Sequence, residues 1–182
     1  QQDSIMLVVK LHEYGLGSQY LHNLQEGSEI QARIIQNPSF HFPSRASQVA
    51  MISNGTGIAP FLGMIEENRR KTDLRLYAGF RRENDTIRAY RRFAAEQIQK
   101  KQLQQLHISL SQGPDPQYVM DLIRRDADYF AALLRNDGVI MICGALAMQR
   151  DVEAILEAIC LEKNGLPLSY FKTRGQVLTD CY

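Results

Sequence analysis

The sequence lacks the features that define several common classes of protein. Its 21 basic and 20 acidic side chains leave a formal charge of +1 over 182 residues, whereas a nucleic-acid-binding surface needs a concentrated basic face. No apolar run approaches the roughly 18 residues of a membrane-spanning helix, and no stretch has the pattern of a signal peptide. We therefore expect a reducing, cytoplasmic environment and no nucleic-acid partner, while a membrane tether on a longer parent chain stays open.

Cysteine and histidine are too few and too scattered to indicate a metal site. The three cysteines contain no CxxC pair, and no two of the four histidines are four residues apart. Zinc sites and disulfide frameworks depend on such spacings. We therefore expect no metal and no disulfide. The residues concerned are Cys143, Cys160 and Cys181, and His12, His22, His41 and His107.

From Gln48 onward, short apolar runs alternate with helical patterns. The predicted strands cover 48–53, 74–79, 106–111, 138–144 and the extended piece 176–182. The predicted helices cover 60–70, 86–100, 118–135, a stripe through 152–159, and 168–173. Strands alternating with helices predict a doubly wound α/β fold with a five-stranded parallel sheet. In such sheets, ligands bind beyond the carboxyl ends of the strands.

The first part of the chain has a different pattern. Residues 5–11 and 29–35 resemble strands, and Ile30, Ala32 and Ile34 alternate with polar neighbours. The chain opens inside the first of these patterns and without an initiator methionine. We therefore expect a piece of a longer protein.

The stretch "MISNGTGIAPFLGM", residues 51–64, joins a predicted strand to a predicted helix. Its glycines allow a tight turn without a Cβ to obstruct a ligand. Pro60 suits the first turn of a helix, where a missing N–H has no consequence. Such a helix terminus is a favourable place for a phosphate group. A plain tight turn in an α/β protein explains these residues equally well.

"NGTGIAPF" resembles the nucleotide-domain signature of the ferredoxin–NADP reductase family. The resemblance is in particular to the diflavin reductases, which include sulfite reductase flavoproteins, cytochrome reductases and nitric oxide synthase reductase modules. Five more blocks resemble the family in the same order. They are "GLGSQYL" at 15–21, "YAGFRRENDTIRAY" at 77–90, "SLSQGPDPQYV" at 109–119, "MICGALAMQRDV" at 141–152 and "LTDCY" at 178–182.

The resemblance implies a set of site residues. A loop would bind the FAD pyrophosphate, a larger group would bind NADP or NAD, and three residues would act at the site of hydride transfer. Of these three, Tyr182 would also cover the flavin ring. The FAD loop is Gly15, Leu16, Gly17 and Ser18. The dinucleotide group is Gly55, Thr56, Gly57, Arg81, Arg82, Ser111, Gln112, Tyr118, Gly144, Met148 and Asp151, and the catalytic group is Cys143, Asp180 and Tyr182.

The same resemblance implies the organisation and activity of the parent protein. Residues 1–45 would be the tail of an FAD-binding barrel and 46–182 a complete NAD(P)-binding domain. The rest of the barrel and a flavodoxin-like FMN domain would lie upstream. Hydride would pass from NAD(P)H to FAD, and electrons onward to a partner flavin or a haem or iron centre. A dinucleotide-binding module without catalysis, and a doubly wound protein of another kind such as a flavodoxin-like receiver, are the alternatives.

One departure from the family bears on cofactor choice. Gln112 and the pair Pro116–Gln117 stand where the family usually has an arginine and a lysine, although Ser111 and Tyr118 are retained. Charge-assisted contacts to a phosphate contribute roughly 1.5–3 kcal/mol each. We therefore expect a preference for NADPH over NADH of about tenfold at most.

Overall fold

The computed structural model describes residues 5–35 and 37–182. Its centre is one sheet of five strands, in which every pair of neighbours is parallel and the spatial order is β3-β2-β1-β4-β5. This confirms the predicted five-stranded parallel sheet. The strands are β1 (Gln48–Asn54), β2 (Asp73–Phe80), β3 (Gln105–Leu110), β4 (Val139–Gly144) and β5 (Val177–Cys181).

Helices cover both faces of the sheet, as the doubly wound prediction requires. α2 and α3 pack on one face, around Met51 and Leu76. α4 to α7 pack on the other, around Ile52 and Ile142. Successive residues of β1 and β4 thus enter two different cores, which is why both strands are apolar throughout. The helices are α1 (Leu16–His22), α2 (Ala59–Glu66), α3 (Asp85–Gln99), α4 (Val119–Arg125), α5 (Ala127–Arg135), α6 (Leu146–Ile159) and α7 (Leu168–Thr173).

Two helix boundaries differ from the prediction because polar side chains end the helices. α2 stops at Glu66 rather than Arg70, since the buried Asn68 amide donates to the carbonyls of Thr72 and Gln102 and so holds a turn. The single helix predicted over 118–135 is two helices that meet at Asp126. There, the Tyr77 hydroxyl donates to the Asp126 carboxylate at 2.9 Å. The spacing of apolar residues in the sequence indicates neither the hydrogen bonds of Asn68 nor the one between Tyr77 and Asp126.

The segment before the sheet forms a helix and no strand within its described residues, 5–35 and 37–45. The strands predicted over 5–11 and 29–35 are therefore absent from the structure. A strand needs a neighbour to complete its ladder of hydrogen bonds, and here Ile5 is 71% exposed and Ile34 78% exposed. Residues 1–4 and 36, which fall within the predicted barrel fragment, lie outside the described residues. The boundary between 1–45 and 46–182 stays a prediction.

Within the described residues, no helix has both the length and the apolar character that crossing a bilayer would require.

Candidate functional site

The turn after β1 packs directly against the end of β4. Gly55 adopts a left-handed conformation, with φ of 55°, and a short 3-10 turn leads to Pro60 in the first turn of α2. A Cβ on Gly57 would lie 2.2 Å from the carbonyl oxygen of Cys143. Only glycine allows this approach. The turn therefore presents bare backbone at the carboxyl ends of two neighbouring strands.

A side chain that the sequence analysis did not single out joins the same two strands. The Asn54 carboxamide oxygen accepts a hydrogen bond of 2.9 Å from the backbone N–H of Ala145. Gly144, with φ of 144°, passes so close that a Cβ would lie 2.2 Å from that oxygen. The sequence does offer a signal for Asn54, because it is a polar residue that directly follows the predicted apolar strand 48–53. Asn54 fixes the floor of a crevice between β1 and β4.

This crevice lies where the strand order reverses, with β2 and β3 on one side of β1 and β4 and β5 on the other. It is a cleft of about 650 Å³, at the place where open α/β sheets bind their ligands. Of the predicted dinucleotide and catalytic residues, those lining it are Gly55, Thr56, Arg81, Ser111, Tyr118, Gly144, Met148, Asp151 and Tyr182. Gly57, Arg82, Gln112, Cys143 and Asp180 are not part of the lining and adjoin it through neighbouring residues.

Tyr182 closes one end of the cleft. Its backbone N–H donates to the Gly144 carbonyl at 3.0 Å, and its carbonyl accepts from the Leu146 N–H at 3.3 Å. The Tyr182 and Thr56 hydroxyls share a hydrogen bond of 2.7 Å, yet the tyrosine is 70% exposed. The backbone is thus fixed while the ring is held mainly by one exchangeable contact. Such a ring can move aside for a ligand.

Cys143 and Asp180 lie opposite each other in the register of β4 and β5. Cys143 is only 3% exposed and packs among apolar side chains on the α2 face of the sheet. Burial raises the pKa of its thiol to about 12, and the charges of Asp180 and Cys181 add to the effect. The thiol is therefore neutral at physiological pH. It can donate a weak hydrogen bond but is not a thiolate nucleophile.

The other end of the cleft is cationic. Arg81 lines it directly after β2, and Ser111 lines it directly after β3. The two loops continue the strand pairing, because Ser111 N–H donates to Phe80 O at 2.9 Å and Gln112 N–H to Arg81 O at 2.7 Å. The Arg82 Nε donates to the Gln112 side-chain oxygen at 2.9 Å. This end therefore suits the phosphate-bearing part of a ligand.

The predicted FAD loop lies beside the cleft rather than in it, and Gly15, Leu16, Gly17 and Ser18 are not lining residues. The Ser18 hydroxyl donates to Gly15 O at 3.0 Å and accepts from His12 N–H at 3.1 Å. A Cβ on Gly15 would lie 2.7 Å from that hydroxyl. The loop is a compact turn at the start of α1, and it meets the cleft through His12, which lines it.

Several lining residues were missed by the sequence analysis. Ser109 is 1% exposed, and its hydroxyl has no hydrogen-bond partner within the described part of the chain. Its position at the end of a strand was a usable signal. No signal in the sequence pointed to Lys10 and His12, because nothing in the pattern of residues 5–15 indicates that this segment folds against the sheet. An unpartnered buried hydroxyl, bare glycine backbone and a cationic end together fit an elongated anionic ligand such as a dinucleotide.

Comparison with known proteins agrees with this geometry. The family described as "Oxidoreductase NAD-binding domain" matches residues 51–154. That range contains the second half of β1, all of β2, β3 and β4, and most of the cleft-lining residues.

Similar proteins include nitric oxide synthase of Anopheles stephensi, 32% identical over 159 residues, which cover 80% of this chain and 13% of the synthase. NADPH–cytochrome P-450 reductase of Cavia porcellus is 31% identical over 166 residues, 81% of this chain and 24% of the reductase. The human reductase is 29% identical over 173 residues, which cover 86% of this chain and 25% of the reductase. The chain thus spans a quarter or less of these relatives. With its motifs, fold and cleft in agreement, it belongs to the oxidoreductase NAD-binding domain family, of the ferredoxin reductase type.

Proposed function

We propose that this domain binds NAD(P)H in the cleft and presents its nicotinamide to FAD held by the adjoining part of a cytoplasmic parent protein. One observation carries the proposal. The bare-backbone turn after β1 and the aromatic ring of Tyr182 meet at the strand-order reversal, joined by the hydrogen bond between Tyr182 and Thr56. A phosphate-binding turn beside a removable ring suits a ligand with a pyrophosphate and a planar reactive group.

The lining residues divide the cleft by chemistry. The turn at Gly55 and Thr56, together with Gly144, would receive the pyrophosphate and the nicotinamide end, because these residues line the cleft and the glycines have no Cβ to obstruct a ligand. Met148 and Asp151 line the adjoining wall, on α6. At the far end, Arg81, Ser111 and Tyr118 supply a cation and two hydroxyls for the adenosine half.

When bound, the nicotinamide and the flavin supply the redox chemistry, and the protein supplies alignment and an environment that excludes water. The ring of Tyr182 would cover the place of hydride transfer and would move aside when a nicotinamide is bound. Cys143, whose thiol is neutral, and Asp180, which lies opposite it in the register of β4 and β5, would stabilise the charge that changes during the transfer. Their placement on adjacent strands holds them at a fixed separation.

FAD and the partner domains belong to the proposal as well. Gly15 to Ser18 would contribute backbone contacts to the FAD pyrophosphate, with the remaining contacts from the upstream barrel. A flavodoxin-like FMN domain would pass the electrons to a haem or iron acceptor. The names of the relatives, nitric oxide synthase and NADPH–cytochrome P-450 reductase, support an electron-transfer role.

A second candidate is a module that binds the dinucleotide without catalysis in this chain. It is favoured by one observation, namely that Cys143 and Asp180 do not line the cleft. Binding alone needs neither residue. The two candidates therefore differ in what Cys143 does.

Two measurements test the proposal. Calorimetric titration of the 182-residue chain should show binding of one NADPH or NADH per chain. In the FAD-containing parent, Cys143→Ala should slow flavin reduction by NADPH at least about tenfold in stopped-flow experiments, with the dissociation constant changed less than about threefold, because the thiol acts during the transfer. Cys160→Ala, another buried cysteine, is the matched control and should leave both values unchanged.

Failure to bind either dinucleotide would contradict the proposed function outright. Binding with an unchanged rate in Cys143→Ala would show that the thiol does not act in the transfer. Binding without flavin reduction in the unaltered parent would favour the non-catalytic module instead. An equal loss of rate in Cys160→Ala would attribute the effect to core packing.

A further inference from the structure

The cationic rim of the cleft contains two adjacent arginines in different settings. Arg81 lines the cleft, whereas Arg82 lies one residue farther from β2, outside the lining. Neither forms an ion pair with an acidic side chain among residues 5–35 and 37–182. Arg91, on α3, differs in this respect, because its guanidinium lies 3.4 Å from the Glu83 carboxylate. The rim therefore carries two positive charges that no acidic side chain of the described residues compensates.

Gln112 orients one of these charges. The Arg82 Nε donates to the Gln112 side-chain oxygen at 2.9 Å, and the Gln112 backbone N–H donates to Arg81 O at 2.7 Å. The contact uses one nitrogen of the guanidinium and a neutral acceptor. Its two terminal nitrogens make no hydrogen bond within the described part of the chain, so the planar fork keeps its charge and its bidentate geometry.

NADPH and NADH differ only at the 2′ position of the adenosine ribose, which carries a phosphate in one and a hydroxyl in the other. A phosphate monoester at neutral pH is close to a dianion, and a guanidinium fork matches it with two parallel hydrogen bonds. With the nicotinamide end placed at Thr56 and Tyr182, the adenosine end lies at the rim. We propose that Arg82, positioned by Gln112, is the residue that discriminates NADPH from NADH, while Arg81 contacts both dinucleotides alike. This inference rests on the proposed function of the cleft.

The discrimination should be modest. Arg82 and Gln112 are both exposed, and contacts between charges at a surface are weakened by solvent and salt. Ser111 and Tyr118 accept or donate to a ribose hydroxyl as readily as to a phosphate. We expect an affinity ratio of about tenfold, which corresponds to about 1.4 kcal/mol.

Short fragments of the two cofactors isolate this end of the ligand. Calorimetric titrations of the 182-residue chain with 2′,5′-ADP and with 5′-AMP, at one fixed ionic strength, measure discrimination without the nicotinamide. Arg82→Gln should weaken 2′,5′-ADP about tenfold and 5′-AMP less than twofold. Gln112→Ala should also weaken the binding of 2′,5′-ADP selectively, by about threefold. Gln112→Arg, which adds a second cation, should increase the selectivity for 2′,5′-ADP over 5′-AMP.

Two further variants make the result decisive. Arg81→Gln should weaken both fragments by the same factor, and Arg91→Gln, outside the cleft and paired to Glu83, should change neither. Equal losses of both fragments in Arg82→Gln, or no loss of either, would overturn the proposal. A wild-type chain that binds neither fragment nor either whole dinucleotide would instead show that the proposed function is wrong.

Discussion

At the scale of single residues, two glycines determine the shape of the cleft floor by having no side chain. Gly57 sits against the carbonyl of Cys143, and Gly144 against the carboxamide of Asn54. In both cases the neighbour is a group fixed in place by the sheet or by a hydrogen bond to it. A methyl group at either position would therefore separate the ends of β1 and β4.

Gly57→Ala should destabilise the domain by about 1–3 kcal/mol, the usual effect of inserting a methyl group into a packed site. The new Cβ would lie 2.2 Å from a backbone oxygen that cannot move independently of β4. Urea unfolding followed by circular dichroism measures the change. Gly63→Ala is the matched control, because nothing lies within 4 Å of its Cβ position and it is within α2. The control should be stabilised by roughly 0.5–1 kcal/mol, and an equal loss of stability in both variants would show that the clash at position 57 is not the cause of the loss.

At the scale of elements, the break between α4 and α5 is held by a cluster of polar side chains. Asp126 accepts from the buried Tyr77 hydroxyl and is paired with Arg125 at 2.8 Å. His107 stacks on Tyr77 with ring centroids 4.5 Å apart. One His107 ring nitrogen lies 3.0 Å from the Arg125 guanidinium, which makes that nitrogen an acceptor and the ring neutral. The cluster joins β2, β3 and the helix that begins next to Tyr118.

Stability should fall as the pH is lowered from 7 to 5. Burial lowers the pKa of His107, with Asp126 opposing and Arg125 and Arg75 assisting that shift. The unfolded chain therefore takes up the proton more readily than the folded chain, so acid favours unfolding through the histidine's ordinary pKa and below. His107→Gln should flatten the dependence of the unfolding free energy on pH in this range. Tyr129→Phe removes a buried hydroxyl that has no hydrogen-bond partner among the described residues, and it should keep the wild-type slope. An unchanged slope in His107→Gln would contradict the assignment.

The sheet was predictable because each strand is a short apolar run that enters a core on one or both faces. The positions of Thr56, Gly144 and Tyr182 in the lining of the cleft were predictable as well, since these residues lie at or after strand ends or in blocks that resemble the family, while their roles stay predictions. The end of α2 and the break at Asp126 were not, because Asn68 and Asp126 act through partners that are distant in sequence. The roles of Asn54 and Ser109 likewise depend on which strands become neighbours.

At the scale of the whole molecule, the described residues of 5–35 expose large apolar side chains and form one short helix. The sheet domain, by contrast, has two complete cores, one on each face. We therefore expect the two parts of the chain to contribute unequally to cofactor binding.

The purified 182-residue chain should bind a pyridine dinucleotide but retain little FAD. The FAD contacts that the resemblance assigns to it are Gly15 to Ser18 and the ring of Tyr182, and the Ser18 hydroxyl is already occupied by Gly15 O and His12 N–H. Flavin released by acid precipitation and measured by fluorescence should amount to well under one equivalent per chain. One full equivalent surviving purification would show that this segment holds FAD without an upstream barrel.

The pairing of β1 with β4 has a further consequence, for the order in which the protein folds. β1 to β3 can assemble from neighbouring parts of the chain. Val49 of β1, in contrast, pairs with Val139 of β4, and two strands and four helices separate the two residues in sequence. Contacts so distant in sequence form late, because the loop between them has to close first. The cleft lies where β1 and β4 pair, so a folding intermediate in which β4 has not yet joined the sheet has no site for the ligand. A dinucleotide should therefore slow unfolding and leave the rate of refolding almost unchanged.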